Sequence, residues 1–345
     1  MTFGPNRHRF SLRRFCAWLI GLVFLFSGVF KLMDPVGTAY IVQAYFHFFH
    51  LSFLDGIARG VGILLSLTEG IVGVALVTGI QRKITAIAAS ILIGFFLLLT
   101  LILWIANPEM DCGCFGEAFH LTHAQSFYKN GILALLGAAA WAGNRKMGGT
   151  RRYKYVSAGI GVVSLLVFCV LANIGLPLMD FTDYKPGERL RVSDEFSAAA
   201  PELPLRTRDG VEADEMVAFG PVMTLSFYDR PSARKWEAAK RFVSEADAAG
   251  FQPVLICAEP WFDDVPYFLS DRKILSTYNR SNGGVSYLYD GEIVAKWSRT
   301  FRPSASALQE IAAQDYVETR IGTTASRERH FEGFLLGLLA VLMLL

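Results

Sequence analysis

Charge is scarce in this sequence. Asp, Glu, Lys and Arg make up 19% of its 345 residues, against about 25% in ordinary soluble domains, and the apolar set AVILMFWYC reaches 52%. A chain this apolar is not disordered, collagen-like or a coiled coil, and a net charge of +2 without a basic stripe excludes a nucleic-acid partner. Cysteine is rare too, with five residues in the whole chain, which excludes a disulfide-dense secreted scaffold. No Ser-His-Asp set, phosphate-binding glycine loop or pair of catalytic carboxylates can be found, which argues against a hydrolase.

The charge that is present is unevenly placed. Residues 1–180 hold 14 Lys/Arg against 7 Asp/Glu, a balance of +7, while residues 181–345 hold 19 against 24, a balance of −5. An apolar half is therefore joined to an ordinary soluble half. A helix needs about 20 apolar residues to cross a bilayer, and the first half offers runs at 15–33, 57–80, 84–106, a shorter one at 126–143, and 156–178. Arg7, Arg9, Arg13 and Arg14 precede the first run, Arg82 and Lys83 separate the second and third, and residues 145–154 separate the fourth and fifth with five more cations. The connections 34–56 and 107–125 contain no Lys or Arg, and only Arg59 stands against the contrast. The positive-inside rule then predicts a multi-pass membrane protein, its N-terminus cytoplasmic and its soluble half outside. The first run is expected to be retained as a helix and not cleaved as a signal peptide, because Lys31 and Asp34 follow it without a small-residue cleavage site. The terminal apolar segment at 331–345 is expected to form a short sixth span, since a free apolar tail in water would aggregate.

Two charges fall inside the apolar runs: Lys31 closes the first and Glu69 lies in the middle of the second. Ionised groups at membrane depth face the bundle interior and find partners, so a Lys31–Glu69 pair is expected. It reads either as a structural pair that fixes helix register or as a site for a proton or a quinone headgroup.

The most specific local feature is "NPEMDCGCFGEAFHLTH", residues 107–123. Cys112 and Cys114 form the only close cysteine pair; Cys16, Cys169 and Cys257 sit in apolar stretches and read as buried hydrophobes. Three chemistries fit the pair. It is a dithiol/disulfide couple, strained by its one-residue spacing and therefore labile; or it joins His120 and His123 in a Cys2His2 set suited to zinc or copper; or it is a structural bridge pinning the loop.

These residues carry a resemblance. "GLVFLFSGVFKLMDPVGTAY", "EGIVGVALVTGIQRK", "NPEMDCGCFGE" and "FYKN" resemble the DoxX-like superfamily, and within it the methylamine utilisation protein MauE branch, over residues 12–143. The resemblance implies a four-helix membrane bundle over 1–145, and functional positions at Lys31, Asp34, Pro35, Glu69, Cys112 and Cys114. It also implies a role in maturing a disulfide-rich client, together with a thioredoxin-like partner. His120 and His123 are not part of that family pattern.

Beyond a fifth transmembrane helix within 146–180, residues 181–204 read as a linker with Pro, Glu and Ser and no apolar period. Residues 205–320 then predict the order βαβ, α, ββ, α: a strand at "VMTLSFYD", a helix at 231–250, a strand at "QPVLICAE", a helix at 264–278, a hairpin turning at Asp290-Gly291, and a helix at 304–313. That order resembles a thioredoxin-like domain, so the fold class is an α-helical membrane bundle followed by an α/β thioredoxin-like domain. Where such domains carry Cys-x-x-Cys this one reads "YDRPSARKW", and Gly283 or Gly284 stands where they place a proline before the hairpin. The domain is therefore expected to keep the fold without the dithiol chemistry and to serve in docking. The expected partners are membrane lipid and a periplasmic client or thioredoxin-like protein. The alternatives are a non-enzymatic scaffold and a metal-binding protein.

Overall fold

The computed structural model describes residues 12–110, 112–117, 121–141, 152–177, 179–191 and 200–322, with Gly333 and Gly337. The expected terminal segment at 331–345 thus falls outside the described residues, those two glycines apart. The chain divides into two compact units, one of residues 1–169 and 334–345, the other of residues 170–333.

The first unit is helical. Its elements are α1 (Leu12–Met33), α2 (Pro35–Phe48), α3 (Ala58–Thr78), α4 (Arg82–Ala106), a short strand β1 (Cys114–Glu117), α5 (His123–Trp141) and most of α6 (Arg152–Ile174). Among the described residues four helices are long and apolar enough to cross a membrane: Leu12–Met33, Ser52–Thr78, Arg82–Ala106 and Arg152–Ile174. The remaining expected run is α5, which misses that standard because His123, Gln125, Lys129 and Asn130 occupy its first two turns, although it packs along α4 and α1. Ile20, Phe24, Val72, Leu76, Ala89, Ile93 and Leu133 form the shared core. The outer face of α4 is an unbroken apolar stripe, with Ile84, Ile87, Ile91, Phe95, Leu98, Ile102 and Ile105 all exposed. In water such a face would be unstable; in a bilayer it is what lipid requires. Trp104 stacks on Phe127 at 5.1 Å where α4 ends and α5 begins, as interfacial aromatics do.

α1 and α3 approach closely because glycines line the crossing. A Cβ added at Gly28 would lie 2.6 Å from the Ser66 carbonyl oxygen and 2.7 Å from the Gly70 nitrogen, and one added at Gly73 would lie 2.6 Å from the Leu25 nitrogen. Without a hydrophobic driving force between helices in lipid, this backbone-to-backbone packing is what binds them.

The second unit is built on a five-stranded sheet of β2 (Pro221–Phe227), β3 (Gln252–Cys257), β4 (Phe268–Leu269), β5 (Gly284–Tyr289) and β6 (Glu292–Trp297), in the order β4-β3-β2-β5-β6. β2 runs parallel to β3, which runs parallel to β4; β2 is antiparallel to β5, and β5 to β6. The helices α7 (Ala233–Ala248), α8 (Arg272–Tyr278) and α9 (Ala305–Ala313) complete it. Both faces of the sheet are covered. Trp236, Phe242 and Leu308 belong to one core, and Leu275, Tyr278, Leu288 and Ile293 to the other. The hairpin turns at Asp290 and Gly291, both with positive φ, as that dipeptide demands.

Two segments differ from expectation. The helix expected over 264–278 begins only at Arg272: Phe268–Leu269 pairs with β3 as β4, and Asp271 accepts hydrogen bonds from the Lys273 and Ile274 backbones to cap α8. The stretch read as a linker, 181–204, contributes Tyr184, Leu190 and Leu203 to the second core. Its backbone is tied to the hairpin, with Gly187 N–H donating to the Ile293 carbonyl, Leu190 N–H to that of Gly291, and Ile293 N–H to that of Glu188. Just before it, Asp180 meets the buried Lys296 ammonium at 2.8 Å.

The glycine crossing sets a test. Gly28→Ala should destabilise the first unit by about 1–3 kcal/mol through overpacking, whereas Gly94→Ala, whose Cβ would meet nothing within 4 Å, should be neutral or gain up to about 1 kcal/mol of helix propensity. Denaturation in detergent reads both, and equal effects would contradict the close crossing.

Candidate functional site

The expected intramembrane pair forms. Lys31 Nζ lies 2.6 Å from Glu69 Oε1, with side-chain exposures of 6% and 1%, and the ammonium also sits over the Phe96 ring. The second carboxylate oxygen of Glu69 accepts a hydrogen bond from Ser27 Oγ at 2.6 Å. Ser27 lies one helical turn before Lys31, so both reach α3 from one face of α1.

The same serine reaches the cysteine loop: Ser27 Oγ is 2.7 Å from the Cys114 carbonyl oxygen. One hydroxyl proton thus serves two acceptors, a carboxylate on α3 and the backbone of the loop. Cys112 and Cys114 are 3% and 9% exposed, packed with Leu103 against Tyr45, Phe48, Met110 and Phe115. Their sulfurs are 3.3 Å apart.

The loop takes this course because of its glycines. Gly113 and Gly116 have φ of +61° and +60°, and a Cβ on Gly113 would stand 2.3 Å from Ile41 Cγ2 on α2, so the backbone turns where no side chain fits. α2 is held against the loop in turn. Asp34 caps it by accepting from Gly37 N–H at 2.9 Å, Pro35 occupies its first turn, Thr38 Oγ1 donates to the Lys31 carbonyl at 2.8 Å, and Tyr45 OH donates to the Cys112 carbonyl. Asp34 and Pro35, implied by resemblance as functional positions, act here through the start of α2.

The two sulfurs are not equivalent. A hydrogen bond from Cys112, together with the positive charges of Lys129 and Lys31, outweighs burial and holds the Cys114 thiol below its ordinary value. Cys112 is pushed the other way by its bond to Cys114 and by burial. Lys129 is half-buried with its ammonium 4.8 Å from the centre of the Phe115 ring. Ser126 is fully buried and its hydroxyl has no hydrogen-bond partner among the described residues. Ser27, Tyr45, Ser126 and Lys129 were not singled out from the sequence. Lys129 lies in the "FYKN" stretch and Ser126 three residues before it, a helical spacing that places both on one face of α5.

The metal reading finds no support in this geometry. His123 Nε2 donates to the Pro108 carbonyl at 3.0 Å, His120 lies outside the described residues, and among the described residues no group of three or more His, Cys, Asp or Glu gathers as metal ligands would. Cys16, Cys169 and Cys257 are buried, as expected of small hydrophobes.

Residues 10–143 match the family model of the methylamine utilisation protein MauE. The match spans α1 to α5 and every residue of the site just described, and with the four apolar helices it suggests a membrane protein of several passes. No curated protein matches the chain, and no solved structure does.

Breaking the buried pair should be costly and restoring neutrality cheap. Lys31→Met and Glu69→Leu should each destabilise by about 3–5 kcal/mol by stranding a charge, and the double variant should recover most of that loss. Denaturation of the four proteins in detergent closes the cycle; additive losses would mean that the two side chains do not interact.

Proposed function

We propose that this chain is an integral membrane accessory protein that exchanges thiol-disulfide equivalents through Cys112 and Cys114 at the outer face of the bacterial inner membrane. The observation that carries this reading is the electrostatic setting of the pair. A structural disulfide has no charge to neutralise, whereas a reduced pair does, and here the positive charge of Lys129, whose ammonium lies on the ring that follows Cys114, favours a thiolate in a pair of sulfurs 3.3 Å apart. Such settings distinguish reactive cysteines from inert buried ones. The family match points to methylamine utilisation, and its maturation role would fit a client rich in disulfides.

The second unit is read as a thioredoxin-like docking module. Its strand order, with two parallel strands followed by an antiparallel hairpin, supports that fold. The place of the usual dithiol is closed instead: Asn282 accepts hydrogen bonds from the Tyr228 and Asp229 backbones at 2.9 and 3.1 Å and donates to the Asp229 carbonyl at 3.0 Å. Those bonds join the loop before β5 to the turn after β2, leaving the module to hold a client without chemistry of its own.

A chain whose Cys16, Cys169 and Cys257 are replaced by serine isolates the pair for titration against thiol-disulfide buffers, read by a mass-adding maleimide. The pair should interconvert with a midpoint near those of oxidising couples, about −120 to −200 mV. A midpoint below about −300 mV, the range of structural disulfides, would make the loop a scaffold and the protein non-enzymatic.

A further inference from the structure

Oxidation of the pair is a movement as well as a reaction, and the loop that must move is held at both cysteines. The two sulfurs stand 3.3 Å apart, and a disulfide needs about 2 Å, so closure draws them together by about 1.3 Å. Only Gly113 separates the cysteines. The ring that closure makes is therefore small; it includes the Cys112 carbonyl carbon, and the Cys114 carbonyl carbon hangs on its last backbone atom. Both carbonyl oxygens already have donors. Tyr45 OH on α2 donates to that of Cys112, and Ser27 Oγ on α1 lies 2.7 Å from that of Cys114. The walls leave the loop little room to follow as one piece. A Cβ on Gly113 would stand 2.3 Å from Ile41 Cγ2 on α2, and one on Gly116 would stand 3.4 Å from the Phe30 carbonyl oxygen on α1. Turning the backbone about Gly113 to close the ring moves both carbonyls relative to donors fixed on α2 and α1, and hydrogen bonds weaken steeply once misaligned.

We propose that Tyr45 and Ser27 are positioning residues that hold the loop in its dithiol form through the two cysteine carbonyls, and so make the disulfide of the pair a stronger oxidant. The inference rests on the redox reading above and concerns what sets the poise of the pair. Bonds that the dithiol makes and the disulfide loses favour reduction, and stabilising the reduced form raises the midpoint. In the step itself Cys112 and Cys114 give up two thiol protons and two electrons, and one bond forms between their sulfurs. The S–S bond of a partner disulfide breaks and takes up those electrons and protons as a dithiol; the reverse step oxidises a partner dithiol. Ser27 carries the change inward, because its hydroxyl is also 2.6 Å from Glu69 Oε2, and Glu69 holds Lys31. Oxidation moves the Cys114 carbonyl off the hydroxyl and leaves its proton to Glu69. By reciprocity, the hold of the intramembrane pair on Ser27 biases the couple at the loop.

Midpoints provide the test, measured in the background lacking Cys16, Cys169 and Cys257 against glutathione and dithiothreitol buffers and read by the mass-adding maleimide. Tyr45→Phe and Ser27→Ala should each shift the equilibrium about fivefold toward the disulfide, the worth of one net hydrogen bond, which is a fall of about 20 mV. Tyr45→Phe keeps the ring packed with Leu103 and Cys112, and decides the matter alone where loss of Ser27 prevents folding. Ser66→Ala is the control: Ser66 is equally buried, but its hydroxyl donates within α3 to the Gly62 carbonyl at 2.7 Å, so its loss should leave the midpoint in place. The proposal is overturned if either Tyr45→Phe or Ser27→Ala leaves the midpoint unmoved or raises it, or if Ser66→Ala lowers it as far. The parent chain is titrated alongside. An oxidising parent with unmoved variants refutes this inference alone, and a parent in the range of structural disulfides with both variants lower still refutes the redox reading alone.

Discussion

A lysine and a glutamate enter an apolar helix bundle only together. Transfer of either charge alone from water costs several kcal/mol even after relaxation, so Lys31 on α1 and Glu69 on α3 dictate which helices touch and in what register. The contact has to be close for the side chains to meet at 2.6 Å with both buried, and the glycines at 28 and 73 permit it by letting one backbone lie on the other. Ser27 is placed by the same register. Its hydroxyl shares its proton between Glu69 and the Cys114 carbonyl, so the ion pair that orders the membrane helices also sets the height of the cysteine loop.

From that anchor the loop has little freedom. Cys114 is fixed through its carbonyl by α1, Cys112 through its carbonyl by Tyr45 of α2, and the residue between them is a glycine pressed against Ile41. α2 is in turn started by Asp34 and Pro35 and tied back to the end of α1 by Thr38. The backbone carbonyls take the hydrogen bonds while the sulfurs are left to face each other, Ser126 and the lysines.

Much of this was legible in the sequence where the physical cost of an alternative is high. The spans follow from hydropathy, the Lys31–Glu69 pair from the expense of isolated charge in lipid, and the hairpin from Asp290-Gly291, whose positive φ values are both realised. What was not legible depends on partners distant in sequence. Ser27 looks like any small residue in a span, because its acceptor is a carbonyl 87 residues away. Lys129 reads as a cation at a helix start until Phe115 and Cys114 are placed beside it. The stretch 181–204 has too few apolar residues to show a period, yet Tyr184, Leu190 and Leu203 are buried because backbone bonds to the hairpin carry them inward. The helix expected from 264 lost its first half to β4, since a short apolar pair beside a sheet edge gains more from strand pairing with β3 than from an uncapped helical turn.

Burial of the sulfurs has a further consequence for how any exchange proceeds. With Cys112 3% and Cys114 9% exposed, the disulfide of a folded protein cannot approach along the S–S axis that displacement requires while the walls stay closed. Of those walls, α1, α3 and α4 are long, apolar and packed into the bundle core. α2 is a 14-residue helix that covers the loop through Ile41, Tyr45 and Phe48. It also packs on α3, with Pro35, Gly37, Thr38, Ala39 and Val42 buried. Access to the sulfurs is therefore limited by the walls that bury them, and α2 is held to the loop and to the end of α1 through Tyr45 and Thr38.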